Sequence, residues 1–369
     1  MQKIKKIVFL ADFLRFSATS EKPNVTKKST QWLFRTLQFS LQKVVEQIEC
    51  EVVWHENGVN SYEYYNVLGI QPDLAGWAAV LNETCDNEEL DNITNRDFSN
   101  KLVIGCELPE VLCQSFNRNN IIYLDTVASP IRFSEDIINC WRSNHPQIQL
   151  QIAKFKYDQS LHYYYANMIR AKFIWANTQT IPTDTALILG QVSDDKSLVD
   201  RHSGKFVSLG SYENKITKIL NQYPHVLFKA HPYSKQDPFL QKLIESKMFN
   251  ITCTDTNYYQ LLCTDNVEHI YGINSGSITE AEYFNVPATS FKEPLYNIAN
   301  CALSASTVNT PVEVGHEWLT PHFWSRILSP VLDVKQEGLP NMSHIGFKNT
   351  LRRSLNADWN FEQIDKVKV

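Results

Sequence analysis

Between residues 186 and 290, short apolar runs of three to five residues alternate with helical stretches, and no other feature limits the fold so narrowly. Ala186–Leu189, Val226–Ala230, Phe249–Thr252, His269–Tyr271 and Ala288–Ser290 read as strands. Helices over Ser211–Tyr223, Pro238–Ser246 and Tyr258–Cys263, and one from about Thr279, separate them. Runs this short with helices between them predict strands buried on both faces of a mostly parallel sheet. The first run is also the most informative chemically. LILGQVSDDKSL (Leu187–Leu198) ends its apolar part at Gly190 and then presents Gln191, the adjacent acids Asp194 and Asp195, and the Ser197 hydroxyl. In α/β folds ligands bind beyond the carboxyl ends of such strands.

The first half has the same rhythm. Ile4–Leu10, Cys50–Trp54, Leu102–Ile104 and Ile121–Leu124 read as strands, Gln31–Gln47 and Glu110–Asn117 as helices, and Gln149–Thr178 as one long helical region. Each strand runs into an acid and a turn, at Asp12, Glu56, Glu107 and Asp125, which predicts carboxylates lining a ligand cleft. SPIRF (Ser129–Phe133) and the Glu135–Asp136 pair read as a loop passing into a helix. The break at Thr180–Asp184, with Pro182, is the expected domain boundary.

With 369 residues and 43% hydrophobic content the chain can fill two sizeable cores. The expected fold class is α/β, with two Rossmann-like βαβ domains, over 1–180 and 181–312, facing each other across a cleft. C-terminal helices over 313–369, carrying Trp318, Phe323, Trp324 and Leu328 at near-helical spacing, would pack back across both.

A net charge of −5, from 35 basic and 40 acidic residues, gives no nucleic-acid footprint. The opening MQKIKKIVFLADF stops at Asp12 and reads as a first strand instead of a signal segment, and no later run reaches the roughly 18 apolar residues of a membrane span. The eight cysteines, Cys50, Cys85, Cys106, Cys113, Cys140, Cys253, Cys263 and Cys301, form no CxxC pair. They read as small core residues of a cytosolic protein, not as a zinc site or disulfide framework. A cytoplasmic enzyme is expected, with peripheral association to a membrane assembly complex at the inner face as a further expectation.

Two more motifs carry chemistry. Lys229-Ala230-His231-Pro232 sits at a strand end, where proline fixes the turn and histidine can donate to a phosphate. Ser275-Gly276-Ser277 precedes a helix; Ser277 reads as its N-cap and Glu280 as the partner completing a capping box. Small residues at a helix start expose backbone N–H groups to anions. GxGxxG and GxxxxGK[ST] are both absent from the sequence. Strand-end acids facing a phosphate-type site point to a nucleotide-sugar glycosyltransferase with its donor in the cleft.

GQVSDDKS (Gly190–Ser197), KAHP (Lys229–Pro232) and SGSITEAE (Ser275–Glu282) together resemble the bacterial Kdo transferases of capsular-polysaccharide and O-antigen assembly. The likeness spans mainly 185–295, and departs from the pattern at KAHPYS, where no acid follows the proline. The resemblance implies a retaining GT-B enzyme that moves Kdo (3-deoxy-D-manno-oct-2-ulosonic acid) from CMP-Kdo to a glycan or lipid-linked glycan. CMP-Kdo is then the donor substrate, with no separate cofactor and no resident metal. It implies that Asp194 or Asp195 forms a covalent Kdo adduct, with Asp195 preferred, and that Glu107 is the general base. His231, Ser275, Gly276 and Ser277 would hold the CMP phosphate beside Gln191 and Pro232, with Glu280 bracing that loop or meeting ribose. Lys229 and Arg132 would face the Kdo carboxylate. The rival expectation is an inverting CMP-sialic acid transferase, with Asp12 or Glu107 as its base and no nucleophile.

Overall fold

The computed structural model describes residues 4–23, 25–82, 86–134, 136–176, 180–233, 237–340 and 350–354. Cys85, Glu135 and Thr178 lie outside these, as do 341–349 and 355–369 of the C-terminal segment. In chain order the strands are β1 (Lys6–Ala11), β2 (Glu49–Val52), β3 (Trp54–His55), β4 (Gly58–Val59), β5 (Lys101–Cys106), β6 (Tyr123–Ala128), β7 (Asn139–Ser143) and β8 (Thr185–Leu189). They continue as β9 (Val199–Asp200), β10 (Lys205–Phe206), β11 (His225–Lys229), β12 (Ile251–Cys253), β13 (Val267–Gly272), β14 (Ala288–Ser290) and β15 (Val312–Val314).

Two large sheets form, giving an α/β fold with one mixed and one all-parallel sheet. The first has the order β15-β7-β6-β5-β1-β2; its β2, β1, β5 and β6 are parallel, whereas β7 and β15 each run antiparallel to their neighbour. The second, β12-β11-β8-β13-β14, is parallel throughout. In both, the chain lays strands on one side of its opening strand and then crosses to the other. The switch points therefore fall between β1 and β5 in the first sheet and between β8 and β13 in the second. Crevices open at the carboxyl ends of such strand pairs.

Period-2 alternation explains the burial. On β1, Ile7 and Phe9 join a core with Leu33, Leu37 and Leu41 of the Lys27–Val44 helix, while Val8 and Leu10 join Tyr64, Trp77 and Phe98 on the opposite face. On β8, Leu187 packs one way and Ala186 and Ile188 the other. The C-terminal Trp318, Phe323, Trp324 and Leu328 are all in the first sheet's core, with the Trp318 and Trp324 rings 5.7 and 5.3 Å from Trp141. Ala299 and Ala305 belong to that same core, so the chain has crossed back to the first sheet before residue 312.

Several expectations are corrected. The long helical region is two helices, Pro146–Ala153 and Ser160–Ala176, separated where the Tyr157 N–H donates to Glu313 O of β15 instead of to its own helix. The segment after SPIRF enters the strand β7, not a helix. Its sequence NCWRS carries no apolar run, yet all five residues are buried, because Arg142 finds Asp125 inside the fold. The described tail residues pack into the first sheet's core. Of the cysteines, Cys113 and Cys140 are buried, but Cys253 and Cys301 are exposed and are not core residues. Among the described residues no helix is long and apolar enough to cross a membrane.

Candidate active site

A cleft of about 1030 Å³ lies where the carboxyl ends of the two sheets meet, and it is lined from both. The first sheet contributes Glu107, directly after β5, and Arg15, in the loop after β1. The second contributes Gln191 and Asp195 after β8, His231 and Pro232 after β11, and Ser275–Ser277 after β13. Lys229, Glu280 and Arg132 also line it.

Backbone geometry sets the second wall. Gly190 brings the turn after β8 against the neighbouring turn, since a Cβ there would sit 3.3 Å from the His231 amide nitrogen and 3.1 Å from the Phe228 ring. Gln191 then staples the two switch-point turns together. Its Oε1 accepts from Asn274 N (2.9 Å), and its Nε2 donates to Asn274 O and to Ser197 Oγ (3.2 Å each). Both ends of this amide are thus engaged within the protein, although the residue borders the cleft.

The two adjacent acids part company. Asp195 is exposed in the cleft, and its Oδ1 accepts the Ser197 N–H (2.8 Å), capping the short 3₁₀ turn Lys196–Leu198. Asp194 does not line the cleft; its Oδ2 accepts from Ala18 N (3.0 Å) in the loop after β1, tying the two halves together.

His231 Nδ1 accepts the Tyr233 N–H (3.1 Å), so in the neutral ring Nε2 carries the proton. Burial lowers its pKa and the nearby Asp195 only partly opposes that, which keeps the imidazole neutral near pH 7. Lys229 is turned to Thr256 O (2.6 Å), with its pKa lowered by burial against a smaller opposing effect of Asp255.

The helix after β13 is Gly276–Tyr283, and its N-cap is Ser275, whose Oγ accepts the Ser277 N–H (3.3 Å). The expected capping box with Ser277 and Glu280 does not form. Glu280 reaches across to the SPIRF loop of the first half, where its Oε1 accepts from Arg132 N (2.5 Å) and from Tyr259 OH (3.0 Å). It is 1% exposed, and burial pushes its pKa up to about 7 despite these donors and the Arg132 charge. Gly276 is required at the same junction, because a Cβ would lie 2.8 Å from Pro130 O. For Arg132, burial lowers the pKa while Glu280 opposes it.

Of the four strand-end acids expected to line a cleft, only Glu107 does. Asp12 is 2% exposed, accepting from Trp77 Nε1 (2.9 Å) and Leu14 N (3.1 Å). Asp125 is fully buried against the Arg142 guanidinium (2.9 Å). Burial raises the pKa of both, only partly offset by Lys196 for Asp12 and by Arg142 for Asp125. Glu56 borders a separate hollow of about 570 Å³ with His55, Tyr62 and Arg96.

Sequence reasoning passed over Lys196, Tyr296 and Glu313, which also line the cleft. Lys196 was readable as the residue between Asp195 and Ser197; Tyr296 and Glu313 carry no local signal. Glu313 accepts from Ser129 Oγ (2.6 Å) and lies 3.3 Å from His162 Nε2, buried beneath the SPIRF loop. Among the described residues no three His, Cys, Asp or Glu side chains gather as a metal-holding group.

No protein-family model and no curated protein matches the chain. Among solved structures it is similar to the beta Kdo 2,7 transferase KpsC of Thermosulfurimonas dismutans, at 10% identity and a TM-score of 0.39, over 95% of this chain and 99% of that one. The beta Kdo 2,4 transferase KpsC of the same organism is 12% identical with a TM-score of 0.37, over 80% and 83% of the two chains. A dipicolinate synthase chain of Bacillus halodurans is 12% identical with a TM-score of 0.17, over 90% and 97%. The likeness to the Kdo transferases is distant, and at such TM-scores none of these similarities fixes a fold, a substrate or a mechanism.

Proposed function

We propose that this chain is a GT-B-type glycosyltransferase that moves Kdo from CMP-Kdo to a hydroxyl of a glycan or lipid-linked glycan, with retention at the anomeric carbon. In this reading 1–180 is the acceptor side, 181–312 the donor side and 313–369 the returning segment. One observation carries it: Asp195, His231 and the Ser275–Ser277 turn converge on the same cleft as Glu107 from the opposite sheet. The GQVSDDKS, KAHP and SGSITEAE motifs, with their resemblance to Kdo transferases, supply the identity of the donor.

The phosphate of CMP sits at the N-terminus of the Gly276–Tyr283 helix, attracted by the positive end of the helix dipole and held by the His231 Nε2–H. Asp195 Oδ2 attacks the anomeric carbon of Kdo. The carbon–oxygen bond to CMP breaks, its electron pair stays on the phosphate oxygen, and an aspartyl-Kdo ester forms. Glu107 then takes the proton of the acceptor hydroxyl, whose oxygen displaces the Asp195 carboxylate from the same carbon. Two inversions give net retention. Arg15 lies 3.9 Å from the Glu107 carboxylate and pairs with it across the mouth of the cleft. Arg132 faces the Kdo carboxylate, while Lys229 reaches that role only by releasing Thr256 O. The acceptor's lipid would bring the protein to a membrane-bound assembly complex at the cytoplasmic face.

The rival reading, an inverting CMP-sialic acid transferase with Glu107 as base, draws on the bond between Asp195 Oδ1 and Ser197 N, which gives this aspartate a structural use. CMP release from CMP-Kdo and from CMP-sialic acid, followed by the intact mass of the protein, separates the two. Release from CMP-Kdo with a Kdo adduct lost in Asp195→Asn is the expected result. Release from CMP-sialic acid alone, or an inverted product with no adduct, would overturn the proposal.

A further inference from the structure

Lys196 ties together the two turns that carry the proposed catalytic carboxylates. It follows Asp195 in the chain, is 8% exposed, and crosses the cleft so that its Nζ donates to the Glu107 carbonyl oxygen (2.8 Å) and to Tyr296 OH (3.0 Å). Glu107 is held at φ +54°, a left-handed conformation that a residue with a side chain keeps only where its surroundings impose it. Three polar contacts impose it here. The Glu107 N–H donates to Thr126 O (2.9 Å), the Leu108 N–H donates to Asp125 Oδ1 (3.1 Å), and the Glu107 carbonyl accepts from Lys196. The first two come from the same sheet as Glu107; the third comes from the other wall. Gly105 is needed for the same turn, since a Cβ there would lie 2.5 Å from the Leu108 side chain.

The lysine is well set for this task. Burial disfavours its charge, but Tyr296, Asp12 and Glu107 more than offset that, so its pKa stands above the ordinary lysine value and the ammonium persists. The Tyr296 ring lies 5.7 Å from Nζ and also stacks with Arg142, at 5.5 Å, which anchors Asp125. The buried charges of the first sheet and the cleft loop of the second thus share one tyrosine.

We propose that Lys196 is a positioning residue: it latches the Asp195 turn onto the Glu107 carbonyl, so that the base is held in its left-handed pose only when the two walls are together. Which chemical step this governs rests on the transferase reading; the latch itself does not. Under that reading adduct formation needs Asp195, His231 and the helix N-terminus, whereas adduct breakdown needs Glu107. Losing the latch therefore slows the second step and spares the first.

The test compares wild type with Lys196→Met, Lys196→Arg and Tyr296→Phe. Without substrate, amide hydrogen exchange over 106–110 is expected to rise roughly tenfold or more in Lys196→Met and to fall back toward wild type in Lys196→Arg. With CMP-Kdo, the first turnover of CMP release should stay within about threefold of wild type, while transfer to acceptor drops roughly 100-fold and the Kdo adduct accumulates by intact mass. Tyr296→Phe should shift both readouts the same way by a smaller factor, and it decides the matter if Lys196→Met does not fold. Unchanged exchange in a folded Lys196→Met overturns the latch. Equal loss of CMP release and transfer overturns the assignment to Glu107. If wild type forms no Kdo adduct, the transferase reading fails, and the exchange measurement still decides for or against the latch.

Discussion

The carboxyl edges of the two sheets use polar side chains in opposite ways. On the first sheet, Asp12 closes onto Trp77 and Leu14, and Asp125 closes onto Arg142 and Leu108, so both carboxylates are consumed inside the protein. On the second sheet the equivalent turns are held by the Gln191 amide, by Asp195 Oδ1 and by backbone contacts at Gly190 and Gly276, which leave Asp195 and His231 bordering the cleft. A buried carboxylate without a partner is expensive, so the first edge is built as scaffold. That scaffold leaves the Glu107 carboxylate open to the cleft, its turn held by the next residue's amide, Leu108 N–H, donating to Asp125 Oδ1. The same sequence pattern, strand then acid, yields a brace where the carboxylate is buried against a cation or indole, and an open carboxylate where it borders the cleft, as Glu107 does beside Arg15.

The largest effects should separate the two edges cleanly. Asp195→Asn is expected to lower transfer by roughly 10³-fold or more, while shifting unfolding free energy by under about 0.5 kcal/mol, since asparagine caps a turn as well as aspartate does. Urea unfolding alongside a CMP-release assay checks both halves. A variant that retains more than about a tenth of wild-type activity removes Asp195 from the covalent role. Arg142→Met should do the reverse. It leaves Asp125 buried without its cation and should cost about 3–5 kcal/mol of stability, read from the urea midpoint. A loss under about 1 kcal/mol would mean that Asp125 is protonated and indifferent to its partner.

How much of this was legible depends on where the partners lie. Strands β8 and β11 read well because each is built on a short apolar run, Ala186–Leu189 and Val226–Phe228. β7 did not, because Trp141 and Arg142 are interior only by virtue of Trp318, Trp324 and Asp125, up to 183 positions away. Glu280 looked like a capping partner because the local spacing is right; the Arg132 amide, 148 positions off, outcompetes it. The break at Tyr157 has the same origin, since its N–H goes to Glu313. The motifs at Gly190–Ser197 and Ser275–Ser277 were readable because chemistry of that kind is written in adjacent residues. Lys196 stood in plain view there, but its reach to Glu107 is a tertiary fact.

A middle-sized effect tests the seam between the two regions. Glu280 is raised from the ordinary glutamate range to about 7 by burial. The folded protein therefore holds a proton that the unfolded chain has lost, and the associated stability is fully present below about pH 4.5 and lost as pH rises through 7. The loss amounts to at most about 3 kcal/mol. Urea midpoints between pH 4.5 and 8 should fall for wild type, and the slope should flatten in Glu280→Gln. A slope unchanged by the substitution would assign the pH dependence to Asp12 and Asp125, which are raised as well.

The smallest expected effect is the sharpest for the comparison, because it concerns neighbours in the chain. Asp194 belongs with the braces: its Oδ2 accepts the Ala18 N–H, outside the cleft. Asp194→Ala removes one partly exposed hydrogen bond and should cost about 1 kcal/mol, with transfer staying within about threefold of wild type. Amide exchange at 16–19 should rise while exchange at 106–110 does not, since Glu107 keeps its bond from Lys196. Asp194→Asn keeps an acceptor for Ala18 and should restore most of the loss. If instead Asp194→Asn abolishes transfer and Asp195→Asn spares it, the two aspartates exchange roles, and the edge of the second sheet keeps its reactive carboxylate beside the cleft, not inside it.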